Sequence, residues 1–228
     1  MGIHDGHRGR VKRRFLANGL DGFDEHTMLE LLLFYSIPRA DVNPLAHSLI
    51  AKFGSLAGVF DAPVEELTAV EGVSENTATL IKLVPQIARQ YMMSKARFDD
   101  VLSTTEKAGA FLVPCFLGER DETVYMVCLD AKKKVLSCKR LFSGSPNISL
   151  LSVRKIVENA LSYNATYVII AHNHPSGIAL PSREDIETTI RIQEALAGVD
   201  VELADHIIVA DDDFVSVADS GFLEKRLR

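Results

Sequence analysis

Two histidines and an aspartate occur in the sequence with a spacing that could hold a metal ion. His172 and His174 are separated by one residue at the end of an apolar stretch, and Asp185 follows shortly afterwards. Residues two apart on an extended chain point to the same side, so both rings can reach one ion. Neutral imidazoles and a carboxylate are good zinc ligands, and three protein ligands leave a fourth position for water. The spacing therefore predicts a catalytic zinc site, because zinc lowers the pKa of a bound water toward about 7.

The pair Ser182 and Asp185 also has a purely structural interpretation. In a capping box, a serine accepts a hydrogen bond at the start of a helix, and an acid three residues later bonds back to the serine N–H. Taken alone, this pair is more typical of capping than of metal binding. Its combination with His172 and His174 favours the metal site, because the complete pattern rarely arises by chance in a chain of this length.

The strings AHNHPSG and PSREDI together resemble the JAMM motif of the JAB/MPN metalloproteases. The fuller pattern is similar to that of the bacterial RadC-like proteins of the UPF0758 family, and the similarity extends to FGSLAGVFDAPVEELTAVEGVSENTATLI and DHIIVADDDFVSVADSG. This resemblance implies an α/β fold. It predicts a JAB/MPN domain, in which helices flank a cytidine-deaminase-like mixed sheet, and a small all-α domain that precedes it. It also implies one zinc ion per chain, held by His172, His174 and Asp185.

Glu122 opens the segment ETVYMVCLD and matches the glutamate that serves JAMM enzymes as a proton shuttle. Without the motif, an acid before a strand would be interpreted as a solvated end residue. With it, we expect Glu122 to lie on a strand beside that of His172 and to act as a general base. The resemblance also makes Ser182 a candidate donor to the water or the developing oxyanion. That role competes with capping of the helix.

The apolar patterning predicts which elements position these residues. The segments ETVYMVCLD, KKVLSCKRLF, TYVIIAHNH and VELADHIIVA are typical of strands, and SVRKIVENALSYN and SREDIETTIRIQEALAGV of helices. This alternation predicts an α/β layer architecture. Apolar residues three and four apart between about 15 and 93 predict short helices, and the polar segment SKARFDDVLSTTE predicts a linker. We therefore expect a helical domain over residues 1–98 and a JAB/MPN zinc hydrolase domain over 103–228.

The stretch LTAVEGVSENTATLI fits a helix-hairpin-helix pattern with its hairpin at Gly72. In DNA-binding hairpins, backbone N–H groups meet phosphate oxygens, which makes Gly72 and Ser74 candidate DNA contacts. Glu71 and Glu75 flank the turn and would repel a phosphate, so the pattern favours a packing or protein-binding module. The basic residues within 1–14 could form an electrostatic arm for DNA, although such a run is more often a mobile, solvated terminus.

Composition restricts the possible partners and compartment. The net charge of -6 over 228 residues argues against a protein that binds nucleic acid with its whole surface. No apolar run reaches the roughly 18 residues needed to cross a bilayer, and the first residues do not resemble a secretory signal. We expect a cytoplasmic protein without a membrane partner. Its three cysteines, Cys115, Cys128 and Cys138, are interpreted as ordinary thiols, because their spacing fits neither a disulfide framework nor a C-x-x-C zinc site.

Three functions compete at this point. The first is a zinc-dependent hydrolase of a peptide or isopeptide amide, indicated by the metal-ligand pattern and the JAMM resemblance. The second is a DNA-associated accessory or repair protein, suggested by the hairpin and implied by the resemblance to RadC. The third, a zinc nucleotide deaminase, is disfavoured because the H-x-E and P-C-x-x-C signature is absent from the sequence.

Overall fold

The computed structural model describes residues 3–95, 101–144 and 152–221. The chain divides into two compact units, Met1–Ala88 and Arg89–Arg228. Helices make up the described part of the first unit, and the second combines helices with a sheet, which confirms the predicted α/β class. Residues 96–100, in the middle of the predicted linker, lie outside the described residues.

The described helices that precede the linker begin and end at clear local signals. Asp24 caps the second of them by accepting a hydrogen bond from Thr27 N, and Gly54, with a φ of 85°, ends the third. None of the helices in the described residues is long and apolar enough to cross a membrane. The helices are α1 (Ile3–Asn18), α2 (Glu25–Ser36), α3 (Asn43–Phe53), α4 (Leu56–Asp61), α5 (Val64–Thr68) and α6 (Glu75–Lys95).

The basic segment near the amino terminus is helical, and its interpretation as a mobile arm is wrong for the residues that the structure describes. Helix α1 buries Val11 against the helical core. Arg8 donates hydrogen bonds to the carbonyl oxygens of Phe34 and Ile37, and its guanidinium lies over the Phe34 ring. These contacts satisfy the free carbonyls at the end of α2, which the sequence pattern of α1 alone could not show.

The second unit is built on a five-stranded mixed sheet in the order β2-β1-β3-β4-β5. Strands β3 and β4 are parallel, and the other neighbours are antiparallel. The pairing of β1 with β3 confirms that ETVYMVCLD runs beside TYVIIAHNH. The elements are α7 (Thr105–Leu112), a 3-10 helix (Val113–Phe116), β1 (Glu122–Leu129), β2 (Val135–Gly144), α8 (Val153–Ser162), β3 (Tyr167–Asn173), α9 (Arg183–Ala197), β4 (Glu202–Ala210) and β5 (Asp213–Ser216).

Helices cover both faces of this sheet. Helices α8 and α9 pack on the face that carries Val124, Met126, Val168 and Ile170, whereas α7 and the 3-10 helix pack on the opposite face. Because side chains alternate along a strand, His172 belongs to the same face as Val168 and Ile170. The α9 face therefore carries both the end of β3 and the helix that bears Asp185.

The three cysteines are free thiols. Cys115 lies in the core on the α7 face, and Cys128 lies in the core on the α9 face. Cys138 is partly exposed.

Candidate metal centre

His172 lies at the carboxyl end of β3, in the interior of the sheet. It pairs with Val124 on one side and Ile208 on the other, and its side chain is fully buried. The rigid ladder on both sides fixes the backbone of this residue. Its ring therefore has a defined position, in which Nε2 lies 2.9 Å from Nε2 of His174.

His174 follows β3 directly, and the first turn of the next loop orients its ring. Its backbone N–H donates to Val209 O at 2.8 Å, which continues the contact with β4 beyond the end of the strand. Ring nitrogen Nδ1 lies 2.9 Å from the carbonyl oxygen of Ile178. Since a carbonyl oxygen can only accept, Nδ1 carries the proton in this bond. Nε2 is left to face His172 and Asp185.

Asp185 enters the site from the first turn of α9. The helix begins at Ser182 with a complete capping box: Ser182 Oγ accepts from Asp185 N at 3.1 Å, and Asp185 Oδ2 accepts from Ser182 N at 2.7 Å. The carboxylate also contacts both rings, with Oδ1 at 3.3 Å from His172 Nε2 and Oδ2 at 3.4 Å from His174 Nε2. Asp185 thus caps the helix and faces the histidines at the same time.

The three side chains form the one group in the described residues that could hold a metal ion. One ligand atom from each of His172, His174 and Asp185 lies within 4.8 Å of the others. Two ring nitrogens that approach to 2.9 Å cannot both carry a proton, and neither can both remain bare without repulsion. A cation between them, either a proton or a metal ion, removes that conflict. The donor set of two imidazoles and a carboxylate fits zinc.

The pKa shifts of the cluster indicate where the proton lies when no metal is bound. Burial, together with the charge of His206, lowers the pKa of His172 well below its usual value. The hydrogen bond to Asp185 raises the pKa of His174. Burial acts to raise the pKa of Asp185, but the hydrogen bond with His174 and the charge of His172 outweigh it and lower the pKa. Without a metal ion, these shifts favour His174 over His172 as the group that takes up a proton, and they favour the ionised form of Asp185.

Glu122 is the first residue of β1, next to the strand that carries His172. The ladder pairs Val124 with His172, and Glu122 shares the α9 face with Val124 because it lies two residues earlier. Its side chain is buried, with 9% exposed. Its charge contributes to the raised pKa of His174. The structure thus brings Glu122 to the same end of the sheet as the candidate ligands, although 50 residues separate it from His172 in the sequence.

Ser182 lies at the same site, but its hydroxyl is engaged within the helix cap. Oγ accepts from Asp185 N and donates to Asp185 Oδ2 at 2.6 Å. The hydroxyl proton is therefore directed at the carboxylate of Asp185. In this arrangement Ser182 positions Asp185, and its proton does not point to a substrate oxygen.

Two further polar side chains continue the hydrogen bonds of His172, and Asn173 bonds to the neighbouring strand β1, although the sequence did not single them out. His206 on β4 lies with Nε2 at 2.8 Å from His172 Nδ1, and its own Nδ1 lies 2.5 Å from Thr189 Oγ1. Asn173 accepts a hydrogen bond from Thr123 N. A histidine within the apolar strand DHIIVA, and a threonine one helical turn after Asp185, were the available signals.

The two candidate DNA contacts lie in the helical unit, in the turn between α5 and α6. Gly72 has a φ of 91°, which a side chain would disfavour. Ser74 Oγ accepts a hydrogen bond from Thr77 N at 3.2 Å. One N–H at the start of α6 is therefore already satisfied, and Glu71 and Glu75 are exposed on either side.

Comparison with known families finds a match for most of the second unit. The sequence pattern of the RadC-like JAB domain matches residues 102–222, which include Glu122 and all three candidate ligands. The chain belongs to the RadC-like JAB domain family. A UPF0758 protein of Fusobacterium nucleatum subsp. nucleatum is 33% identical to this RadC-like chain over 227 residues, covering 96% of the chain and 98% of the relative. The resemblance identified from the sequence is thus confirmed.

Proposed function

We propose that this RadC-like protein is a zinc-dependent hydrolase that cleaves a peptide or isopeptide amide. The observation that carries the proposal is the convergence of His172, His174 and Asp185 within 4.8 Å at the end of β3, with His174 Nδ1 already bound to a carbonyl oxygen. Three protein ligands of this kind are typical of catalytic zinc sites, whereas structural sites usually have four.

Each residue of the centre has a distinct role in this proposal. Nε2 of His172, Nε2 of His174 and a carboxylate oxygen of Asp185 would hold the ion. Zinc, when bound, supplies a Lewis acid that lowers the pKa of water and polarises a carbonyl oxygen. Asp185 Oδ2 is bound by the N–H and O–H of Ser182, so the carboxylate is held in one orientation. A ligand held in this way loses less conformational freedom on binding.

Glu122 would act as the general base and acid. Its buried carboxylate lies on the α9 face of β1, where its charge affects His174. A carboxylate there can accept a proton from the attacking water. It can then give this proton to the leaving amine, because the amine must be protonated before it departs. Its burial restricts the access of other water molecules to it.

The test first measures the zinc content of the metal-replete wild type. It then compares the zinc content and turnover of two variants in which a carboxylate is replaced by an amide. Glu122→Gln should keep one zinc per chain and lose about a hundredfold to ten-thousandfold in turnover of fluorogenic peptide and lysine-isopeptide amides. The matched control is Asp121→Asn, because Asp121 is the adjacent residue and its side chain is exposed. It should retain turnover. Full turnover by Glu122→Gln, or a wild type without zinc, would contradict the proposal.

DNA binding by the helical unit is the second candidate. Arg10 and Arg13 are exposed on α1, and cationic side chains of this kind bind phosphates. If α1 binds duplex DNA, the logarithm of affinity should fall linearly with the logarithm of salt concentration. Arg10→Gln and Arg13→Gln should together make that slope less steep. Absence of binding at about 50 mM salt would exclude this function for the chain.

A further inference from the structure

A chain of buried hydrogen bonds leads from the His172 ring to the backbone of Asp185. His172 Nδ1 lies 2.8 Å from His206 Nε2, and His206 Nδ1 lies 2.5 Å from Thr189 Oγ1. Thr189 Oγ1 donates to the carbonyl oxygen of Asp185 at 2.6 Å. The side chains of His172, Thr189 and His206 are at most 1% exposed. These hydrogen bonds therefore connect two candidate metal ligands, His172 and Asp185, through side chains that are buried from solvent.

The last acceptor in this series of hydrogen bonds, the Asp185 carbonyl oxygen, determines which atom donates in each of them. The Asp185 carbonyl cannot donate, so Thr189 must direct its hydroxyl proton there. Thr189 Oγ1 then accepts from His206 Nδ1, which makes Nδ1 the protonated nitrogen of His206. His206 Nε2 is left as an acceptor, so His172 Nδ1 must donate to it.

The opposite direction would leave an unfavourable contact in a buried place. If His172 carried its proton on Nε2, its bare Nδ1 would require a proton from His206 Nε2. His206 Nδ1 would then require the Thr189 hydroxyl proton, and Thr189 Oγ1 would face the Asp185 carbonyl at 2.6 Å without a proton between them. Two acceptors at this distance repel each other, and burial removes the water that could compensate.

We propose that Thr189 and His206 are positioning residues that hold His172 in the tautomer with Nδ1 protonated and Nε2 bare. The metal-binding consequence rests on the proposed function, whereas the tautomer itself does not. A ligand histidine whose second nitrogen donates to a fixed partner is already prepared for the ion. Here the last acceptor is the backbone of another ligand, Asp185, so one hydrogen-bonded chain orients both.

The test uses Thr189→Val, with two matched controls. Valine has nearly the shape of threonine but offers neither an acceptor to His206 nor a donor to Asp185. Thr189→Ser keeps the hydroxyl and should behave as the wild type. Thr188→Val makes the same change at the preceding residue, which is equally buried and whose hydroxyl instead accepts from Arg191.

The first measurement is nitrogen NMR of histidine rings in the metal-free protein at neutral pH, with His172 assigned by its loss in His172→Gln. Ring nitrogen shifts distinguish protonated from bare nitrogens. The wild type, Thr189→Ser and Thr188→Val should show His172 protonated on Nδ1, and Thr189→Val should show a mixture of both tautomers. The second measurement is zinc affinity by chelator competition, which Thr189→Val should weaken by about tenfold to a hundredfold relative to Thr188→Val.

The outcomes separate this proposal from the proposed function. A metal-free wild type with His172 protonated on Nε2 overturns the proposal without any variant. A folded Thr189→Val protein with wild-type ring shifts also overturns it. The expected shifts in a protein that binds no zinc would support the positioning role and reject the hydrolase.

Discussion

Four of the described helices begin at a serine, and two of these starts, at α6 and α9, are built alike. At α6, Ser74 Oγ accepts from the N–H of Thr77, and at α9, Ser182 Oγ accepts from the N–H of Asp185. In both, the side chain three residues on also contacts the serine, with Thr77 Oγ1 at 3.1 Å from Ser74 Oγ. The local structure alone would give both starts the same role.

The two starts differ in what the rest of the fold brings to them. The start of α6 is followed by exposed Glu75 and Asn76. The start of α9 faces the end of β3, which presents His172 and His174 to the carboxylate of Asp185. A serine cap is a common feature of helices and is no sign of a site. At α9, the side chain three residues after the serine is a carboxylate, and it becomes a candidate ligand because the neighbouring strand brings two histidines to it.

The largest expected difference between the two starts concerns metal. Asp185→Ala should abolish stoichiometric zinc and also weaken the start of α9 by about 1 kcal/mol. Thr77→Ala should cost α6 a similar amount and leave zinc unchanged. Zinc analysis after dialysis, together with urea unfolding, measures both effects, and His174→Ala should repeat the zinc loss. One zinc per chain in a destabilised Asp185→Ala protein would mean that the acid serves capping alone.

The second prediction concerns how the free energy of unfolding depends on pH through His206, which lies next to Thr189 of α9. Burial lowers the pKa of His206 to about 4, and the neutral ring is the folded form. The unfolded chain takes up this proton at about pH 6.5, so stability that is present above pH 6.5 is lost as the pH falls toward 4. The loss is at most about 3–4 kcal/mol, since the pKa falls from 6.5 to about 4 and each pKa unit is worth about 1.4 kcal/mol.

Urea unfolding of the metal-free protein at pH 7 and pH 4.5 measures this loss, with His206→Gln as the variant that cannot titrate. The wild type should lose more stability than the variant over this interval. An equal loss in the two proteins would place the acid sensitivity elsewhere.

The third prediction compares the caps themselves. Ser74→Ala and Ser182→Ala should each destabilise their own helix by about 1 kcal/mol, seen as faster amide hydrogen exchange at Thr77 and Asp185. Only Ser182→Ala should also weaken zinc binding, because it removes a hydrogen bond to Asp185 Oδ2. Equal zinc affinity in the two variants would show that the cap does not orient the carboxylate.

The smallest expected difference concerns two glycines with positive φ near these starts. Gly72 has a φ of 91° and Gly177 one of 78°. Alanine would meet only ordinary contacts at either position, so the cost comes from the backbone and should be about 1 kcal/mol for each. Gly177 N donates to His174 O, so Gly177→Ala should also lower zinc affinity. Zinc affinity unchanged by Gly177→Ala would show that this turn does not hold His174.

The sequence predicted the site where its residues are close in the chain or matched a known motif. The spacing predicts that His172, His174 and Asp185 come together, as they do in the structure, whereas the role of Glu122 is a prediction from the JAMM resemblance. Thr189 and His206 were not found, because only the strand register and the packing of α9 bring them together. The helix at α1 was missed because its residues lack apolar periodicity, and its docking depends on Arg8 reaching carbonyls of α2.

Asn173, between the two histidines, faces the opposite side of the sheet from His172 and hydrogen-bonds to the neighbouring strand β1. The Asn173 amide accepts from Thr123 N at 2.7 Å and donates to Asp121 O at 3.2 Å, so it holds the peptide units on both sides of Glu122. Asn173 thus fixes the separation between Glu122 and the strand that carries His172. Because these hydrogen bonds tie β1 to β3, a displacement of β1 at Glu122 would also displace the end of β3.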